Sequence, residues 1–210
     1  MLSKIIEQNK PVLENTESYM LPHLNKIICL LNKLENRAGD DYFSSFKRKK
    51  LSKGEFLLHE GMVCKHIWVL ETGVARIFNR QEKTEATRYF FFPGEFIDSY
   101  SSSSTGEPSE ESIQVIRDSV VYAISRHRMK KLQHIYPEIS EIERLTVECH
   151  IMWLQQRLYV MLQSNAIENY LHLLKCQPYL LQTVPVNHIA MYLGVSPERL
   201  SRIRRKVGVY

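Results

Sequence analysis

Short β-rich runs separated by turn residues fill the chain between Gly54 and Ser125, and they constrain the fold more than any other feature. The runs lie at residues 55–58, 66–71, 74–79, 86–92, 112–117 and 120–125. Several short strands at this spacing are typical of a β-sandwich or a barrel. Residues 101–108 read SSSSTGEP, a polar segment with Gly and Pro, so we expect a surface loop on that barrel.

Helical patterns flank the β-rich region. Residues 1–50 are predicted to be helical, because apolar side chains recur at helical spacing before a turn-rich stretch at 36–41: Ile27, Leu30, Leu31 and Leu34. Pro137 suits the first turn of a helix, and neither Gly nor Pro follows it up to Gln163. This predicts a single helix about 40 Å long at roughly 1.5 Å per residue.

The predicted helix 137–163 carries two apolar stripes on nearly opposite sides. One contains Ile142, Leu145, Cys149, Met152 and Tyr159, and the other contains Val147, Ile151, Leu154, Leu158 and Met161. A helix that is apolar on two faces must be covered twice. The barrel can cover one stripe, and the same helix of a second copy can cover the other, which predicts a homodimer without saying which stripe faces the partner. The alternative is a helix wholly buried in a single domain.

The segment 186–205, VNHIAMYLGVSPERLSRIRR, has the pattern of two short helices joined by a tight turn. Ala190 is small where the second helix would cross, and Gly194 suits a left-handed turn. Ser196 is a good N-cap, Pro197 suits the first helical position, and Glu198 lies where the helix dipole favours a carboxylate. This predicts a helix-turn-helix.

Positive charge is concentrated on the second of these helices. Residues 166–210 hold six basic side chains against two acidic ones, in a chain whose net charge is +5. The predicted DNA-contacting residues are Ser196, Glu198, Arg199, Ser201, Arg202, Arg204, Arg205 and Lys206. These side chains are of the kinds that contact base edges and phosphates, so the expected partner is double-stranded DNA. The alternative is a structural two-helix corner with a solvated charged surface.

The sequence resembles the Crp/Fnr regulators over nearly its whole length. The motifs that carry the resemblance are KGEFL with EG at 53–61, VLETGVAR at 69–76, FPGEF at 92–96 and GVSPERLSRI at 194–203. The resemblance implies an α+β protein with an antiparallel β jelly-roll barrel and flanking helices in residues 1–136. A long dimerisation helix at 137–163 and a small winged helix-turn-helix domain at 164–210 would follow.

The resemblance also implies roles for residues of the second helix. Glu198, Ser201 and Arg202 take the base-contacting places of an E-x-x-S-R arrangement, whose half-sites are rich in TTGA. Pro197 stands where cAMP-responsive members carry a contacting Arg. Bacterial regulators of this kind bind DNA as homodimers, and RNA polymerase is a further expected partner.

The effector region departs from the family pattern. In nucleotide-binding members an Arg-Ser/Thr pair after the Gly-Glu turn holds the cyclic phosphate, and the nearest alignment places Ser109-Glu110 there. From Gly94 to Ser112 the chain has no Lys or Arg and five acids: Glu95, Asp98, Glu107, Glu110 and Glu111. We therefore expect an unknown small-molecule effector, if any, at Glu95, Ser99 and Ser109, and cAMP is not expected to bind because burying its phosphate would be costly.

Other function classes find less support in the sequence. No apolar run is long enough for a membrane span or a signal peptide, so we expect a cytoplasmic protein with no membrane contact. The four cysteines lack C-x₂-C spacing, and we expect no catalytic site, metal or cofactor. Two alternatives stay open: a cupin-like barrel that binds a metal or small molecule without a DNA role, and a ligand- or protein-binding module with a basic tail.

Overall fold

The computed structural model describes residues 4–8, 21–38, 40–81 and 84–208. Its strands are β1 Lys47–Leu51, β2 Phe56–Leu58, β3 His66–Thr72, β4 Ala75–Gln81, β5 Thr84–Phe91, β6 Phe96–Ile97, β7 Ser112–Val115 and β8 Ser119–Ser125. Its helices are α1 Leu21–Ala38, α2 Asp40–Ser44, α3 Tyr100–Thr105, α4 Arg126–Ile135, α5 Pro137–Gln163, α6 Ala166–Cys176, α7 Pro178–Thr183, α8 Val186–Leu193 and α9 Pro197–Lys206. Residues 4–8 are also helical.

The strands form two antiparallel four-stranded sheets. One has the order β1-β8-β3-β6 and the other the order β2-β7-β4-β5, so consecutive strands lie in different sheets except for the paired strands β4 and β5. Apolar side chains from both sheets fill the space between them, among them Leu70, Ile97, Ile113 and Val121, each fully buried. The expected double-sheet barrel is confirmed.

The structure corrects three details of the sequence prediction. Lys47–Leu51 is the edge strand β1 rather than helix, because its backbone pairs with β8 and Leu51 enters the barrel core. Phe96–Ile97 adds a short strand paired with β3. Tyr100–Thr105 is helical rather than a loop, and the hydroxyls of Ser104 and Thr105 donate to carbonyls one turn earlier.

The long helix α5 begins at Pro137 and ends at Gln163, as predicted. Ile139, Ile142 and Leu145 in its first half are buried in a cluster that also contains residues of α1, α4 and the first sheet. The barrel and its flanking helices therefore cover one side of the first half of α5.

The residues after α5 form a small helical unit that packs against the barrel. Tyr170, Leu180, Ile189 and Leu200 share a buried cluster with Phe90 and other barrel residues. Residues 164–208 are helical, turn or irregular and contain no strand, so the strands of the expected wing do not occur in this part of the chain. Helix caps and apolar side chains at helical spacing occur throughout these residues, so no segment has the pattern of a β-hairpin.

None of the helices in the described ranges combines the length and the apolar character that crossing a membrane requires.

Candidate nucleic-acid interface and ligand cavity

Helices α8 and α9 are joined by a tight turn at residues 194–196. Gly194 ends α8 in the left-handed conformation, with φ of 66°, and its N–H donates back to carbonyls of the last turn of α8. Ala190 is fully buried between the helices, and Leu200 and Ile203 hold the inner side of α9 in the core. These positions fix the orientation of the outer face of α9.

The first turn of α9 is capped as the sequence predicts. The Ser196 hydroxyl accepts a hydrogen bond from the Arg199 N–H at 3.2 Å, and Pro197 occupies the first helical position. A hydrogen bond from the Ser196 side chain holds the pKa of Glu198 below its usual value, with backbone hydrogen bonding and Arg202 adding to the effect. Glu198 is therefore ionised at neutral pH and held near the start of the helix.

The outer face of α9 is strongly polar and open to solvent. Its exposed residues are Glu198, Arg199, Ser201, Arg202, Arg205 and Lys206, and Ser196 in the preceding turn is also exposed. Arg204 differs from these because it is half-buried and lines a groove with Tyr170 and Leu200. One compact face of about two turns thus carries most of the predicted contact residues.

The second half of α5 carries apolar side chains that the rest of the described chain leaves uncovered. Ile151 is 49% exposed, Leu154 43%, and Leu158 and Met161 57% each. These four belong to the second predicted stripe, whereas Ile142 and Leu145 of the first stripe are buried against the barrel side. The start of the first stripe is therefore buried and the end of the second is exposed, although Tyr159 at the end of the first stripe is also 57% exposed.

Residues that sequence reasoning did not single out join the barrel to the helical unit. The guanidinium of Arg76 is buried, bonds to Glu85 at 2.6 Å and to Gln114, and lies 3.5 Å from the Met191 sulfur. The rings of Phe90 and Tyr192 lie 5.3 Å apart. No sequence pattern near these residues could have paired them, since strand and helix are about 100 positions apart.

The predicted effector residues divide between two places. Ser99 and Ser109 are buried side by side with their hydroxyl oxygens 3.0 Å apart, and the Ser99 hydroxyl donates to Glu111. Burial raises the pKa of Glu111, although Arg88 lies 3.0 Å from its second carboxylate oxygen. The acidic segment is therefore partly neutralised by Arg88, a basic partner outside it.

Glu95 belongs to a separate network. Its carboxylate accepts hydrogen bonds from the Tyr89 hydroxyl at 2.6 Å and from the Phe92 N–H at 2.5 Å. It lines a cavity between the barrel, α1 and α5, which also contains His150 and Trp153. Within the described ranges no group of three or more His, Cys, Asp or Glu residues is arranged to hold a metal ion.

A double-sheet barrel followed by a long helix and a small helical unit defines the architectural class of the molecule. Residues 48–136 match the cyclic nucleotide-binding domain family. A comparison with curated proteins found no match.

Several solved structures share this fold. A CooA variant from Carboxydothermus hydrogenoformans is 15% identical, with a TM-score of 0.66 and coverage of 85% of both chains. FixK2 from Bradyrhizobium japonicum is 16% identical, with a TM-score of 0.65 and coverage of 78% of this chain and 84% of the other. A Crp/Fnr-family transcriptional regulator from Eubacterium rectale is 17% identical, with a TM-score of 0.66 and coverage of 85% and 86%. The chain thus has the fold of these proteins.

Proposed function

We propose that this protein is a sequence-specific DNA-binding transcription regulator of the Crp/Fnr type. The observation that carries the proposal is the outer face of α9, an exposed basic surface on a helix whose inner face and N-terminus are fixed by packing and capping. A helix of this kind fits the major groove and presents donors and acceptors to base edges. The protein acts in the cytoplasm without enzymatic activity and works with RNA polymerase.

The contact residues divide into two groups by position and chemistry. Glu198, Ser201 and Arg202 read bases, since they lie on the first two turns, which approach the groove floor in helix-turn-helix proteins. Arg199, Arg205 and Lys206 hold phosphates, and Arg204 contributes from its half-buried position. Ser196 lies in the exposed turn before α9 and contacts the phosphates from there.

The regulator is a homodimer joined along α5. The exposed stripe of Ile151, Leu154, Leu158 and Met161 supports this, since a two-fold related copy of the helix can cover it. The stripe lies on the side of α5 that the barrel leaves open, so the dimer and the monomer core do not compete for the same residues. Residues 1–136 then form the sensor domain, 137–163 the dimerisation helix and 164–210 the DNA-binding domain.

Selection of bound sequences from a random pool of duplex DNA tests this function directly. We expect an enriched inverted repeat with TTGA-like half-sites. A matched selection with Arg202→Ala should lose the preference at one position of each half-site. Enrichment of no sequence over the input pool would contradict the proposal, and so would a direct repeat with no two-fold symmetry.

A further inference from the structure

The cavity beside Glu95 lies between three parts of the fold. Its volume is about 110 Å³, and it is partly open to solvent. Residues 4–8 and α1 contribute one wall, the barrel a second with Tyr89, Phe91 and Glu95, and α5 a third with Cys149, His150 and Trp153. Mostly apolar walls with a few convergent polar groups are typical of small-molecule sites.

Aromatic rings dominate the floor of the cavity. Trp153 meets Tyr89 edge-on with ring centroids 4.5 Å apart, and His150 stacks on Trp153 at 5.7 Å. Tyr89 also packs against Phe91 at 4.9 Å. A flat aromatic ligand can continue this arrangement, and the electron-rich ring faces also favour a nearby cation.

The charge of the lining fixes the sign of the ligand. None of the described residues that line the cavity is Lys or Arg, and Glu95 supplies the carboxylate. Burial first, and then Arg88, lowers the pKa of His150, so its imidazole is neutral at pH 7. An anionic ligand would lose its hydration without gaining a cationic partner, whereas an ammonium group can pair with Glu95.

Glu95 is positioned to receive such a group. The Tyr89 hydroxyl donates to one carboxylate oxygen of Glu95, and the Phe92 N–H donates to the other. A carboxylate has about four acceptor sites, so these two bonds leave acceptor sites for a ligand. The two hydrogen bonds also orient the carboxylate before any ligand arrives. Burial raises the pKa of Glu95 to about 7, and a bound cation would lower it again.

We propose that this cavity binds a small aromatic amine, with its ring among Tyr89, Phe91 and Trp153 and its ammonium group on Glu95. Binding stands on the cavity alone, whereas its role as the effector signal rests on the proposed function. Four lining residues come from α5, the helix that also carries the exposed apolar stripe, so an occupied cavity contacts the helix that joins the proposed dimer.

Calorimetric titration with three indoles of one size tests the proposal. Tryptamine carries an ammonium group, tryptophol a neutral hydroxyl and indole-3-acetate a carboxylate. We expect saturable binding of tryptamine, binding of tryptophol weaker by at least about tenfold, and no detectable binding of indole-3-acetate at pH 7.5. Equal affinity for all three, preference for the acid, or no binding of any would overturn the proposal.

Variants separate the charge from the cavity. Glu95→Gln should reduce the preference of tryptamine over tryptophol to within about twofold, since the amide keeps the shape but not the charge. Cys149→Phe fills space beside α5 and should abolish binding of both, whereas Cys29→Phe, exposed on α1 and away from the lining, should leave both unchanged. Tryptamine preference that persists in a folded Glu95→Gln variant would contradict the assignment of its ammonium group.

The DNA selection is run without any indole. Enriched DNA with no tryptamine binding would overturn this inference alone, and tryptamine binding with no enriched DNA would overturn the proposed function alone. The two failures are therefore distinguishable.

Discussion

Single residues on α9 should differ in what their removal does to DNA binding. Arg202 can donate two hydrogen bonds to guanine O6 and N7, which is worth on the order of 1–3 kcal/mol of discrimination. We predict that Arg202→Ala relaxes base preference at one position of each half-site. Lys206→Ala should weaken binding to all sequences and lower the slope of log K against log[salt] by about 0.9 for each phosphate that is no longer neutralised, counted twice in a symmetric dimer.

A salt titration of both variants on a selected site and on a scrambled site makes the comparison. Each variant is the other's control, because both remove one exposed cationic side chain from the same helix. If Arg202→Ala weakened both sites equally and kept the original base preference, Arg202 would bind a phosphate and the assigned readout would be wrong.

Glu95 gives the stability of the protein a defined pH dependence. Its pKa rises from an ordinary value near 4.5 to about 7 in the folded state, because burial disfavours the charged form. Because the pKa is higher in the folded state, the contribution of Glu95 to stability is fully present at pH values below the pKa of the unfolded state. That contribution is lost as the pH rises through about 7. We predict that Glu95→Gln flattens the decline in unfolding free energy between pH 4.5 and 7.5, measured by urea titration at several pH values. A parallel decline in the variant would place the titration elsewhere.

At the scale of elements, one substitution in the exposed apolar stripe of α5 tests whether this stripe is the proposed dimer interface. Leu154→Glu places a carboxylate in the exposed stripe and should raise the dimer dissociation constant at least 100-fold, about 2.7 kcal/mol, because both copies carry the charge. Leu171→Glu is the matched control, since Leu171 is 45% exposed on α6. Sedimentation equilibrium measures both. Leu145 is unsuitable because it is 3% exposed and its replacement would unfold the core.

The turn between β3 and β4 tests how the two sheets are joined. Gly73 has φ of 99°, and a Cβ there would lie 2.1 Å from the Ser119 hydroxyl and 2.8 Å from a backbone carbonyl. Gly54 has a similar φ of 93° with nothing within 4 Å. Gly73→Ala should therefore destabilise the protein by roughly 2–4 kcal/mol, and Gly54→Ala by only about 1 kcal/mol, in denaturant unfolding. Equal destabilisation by the two variants would show that backbone strain alone accounts for the loss of stability and that the contact with Ser119 adds nothing.

Elements with strong local signals could be predicted from the sequence. The limits of α5 follow from Pro137 and an uninterrupted helical pattern, and the turn before α9 follows from Gly194 and the Ser196 cap. β1 could not be predicted, since its run of basic residues has no strand-like alternation and becomes a strand only by pairing with β8. Residues 100–105 carry a serine run that favours loops, yet the hydroxyls of Ser103 and Ser104 donate to the Tyr100 carbonyl within a helical turn.

At the scale of the whole molecule, long-range contacts form the cavity beside Glu95 and hold the helical unit against the barrel. Glu95 could be proposed from the sequence as part of an effector site, but Trp153 and His150 lie more than 50 positions away on α5. Likewise, Arg76 meets Met191 only after the barrel and the helical unit have both folded. A local sequence pattern shows which faces of an element are apolar, but it does not show which distant part of the chain covers them.

Two-fold symmetry of the proposed dimer sets the spacing of its DNA half-sites. Two copies of α9 joined through α5 enter successive major grooves on one side of the duplex when the half-site centres lie about 10 bp apart, near 34 Å. Inserting 5 bp at the centre of a selected site turns one half-site to the opposite side of the duplex. We predict that binding then weakens more than tenfold, over about 1.4 kcal/mol, because only one α9 can engage. Inserting 10 bp restores the side but adds roughly one helical turn of length, which a dimer fixed along α5 cannot span, so the affinity should stay low.

Fluorescence anisotropy on the three duplexes, with a 5 bp insertion outside the site as control, provides the measurement. Full recovery with the 10 bp insertion would mean that the DNA-binding units move independently, and unchanged affinity with 5 bp would mean that a single unit accounts for binding.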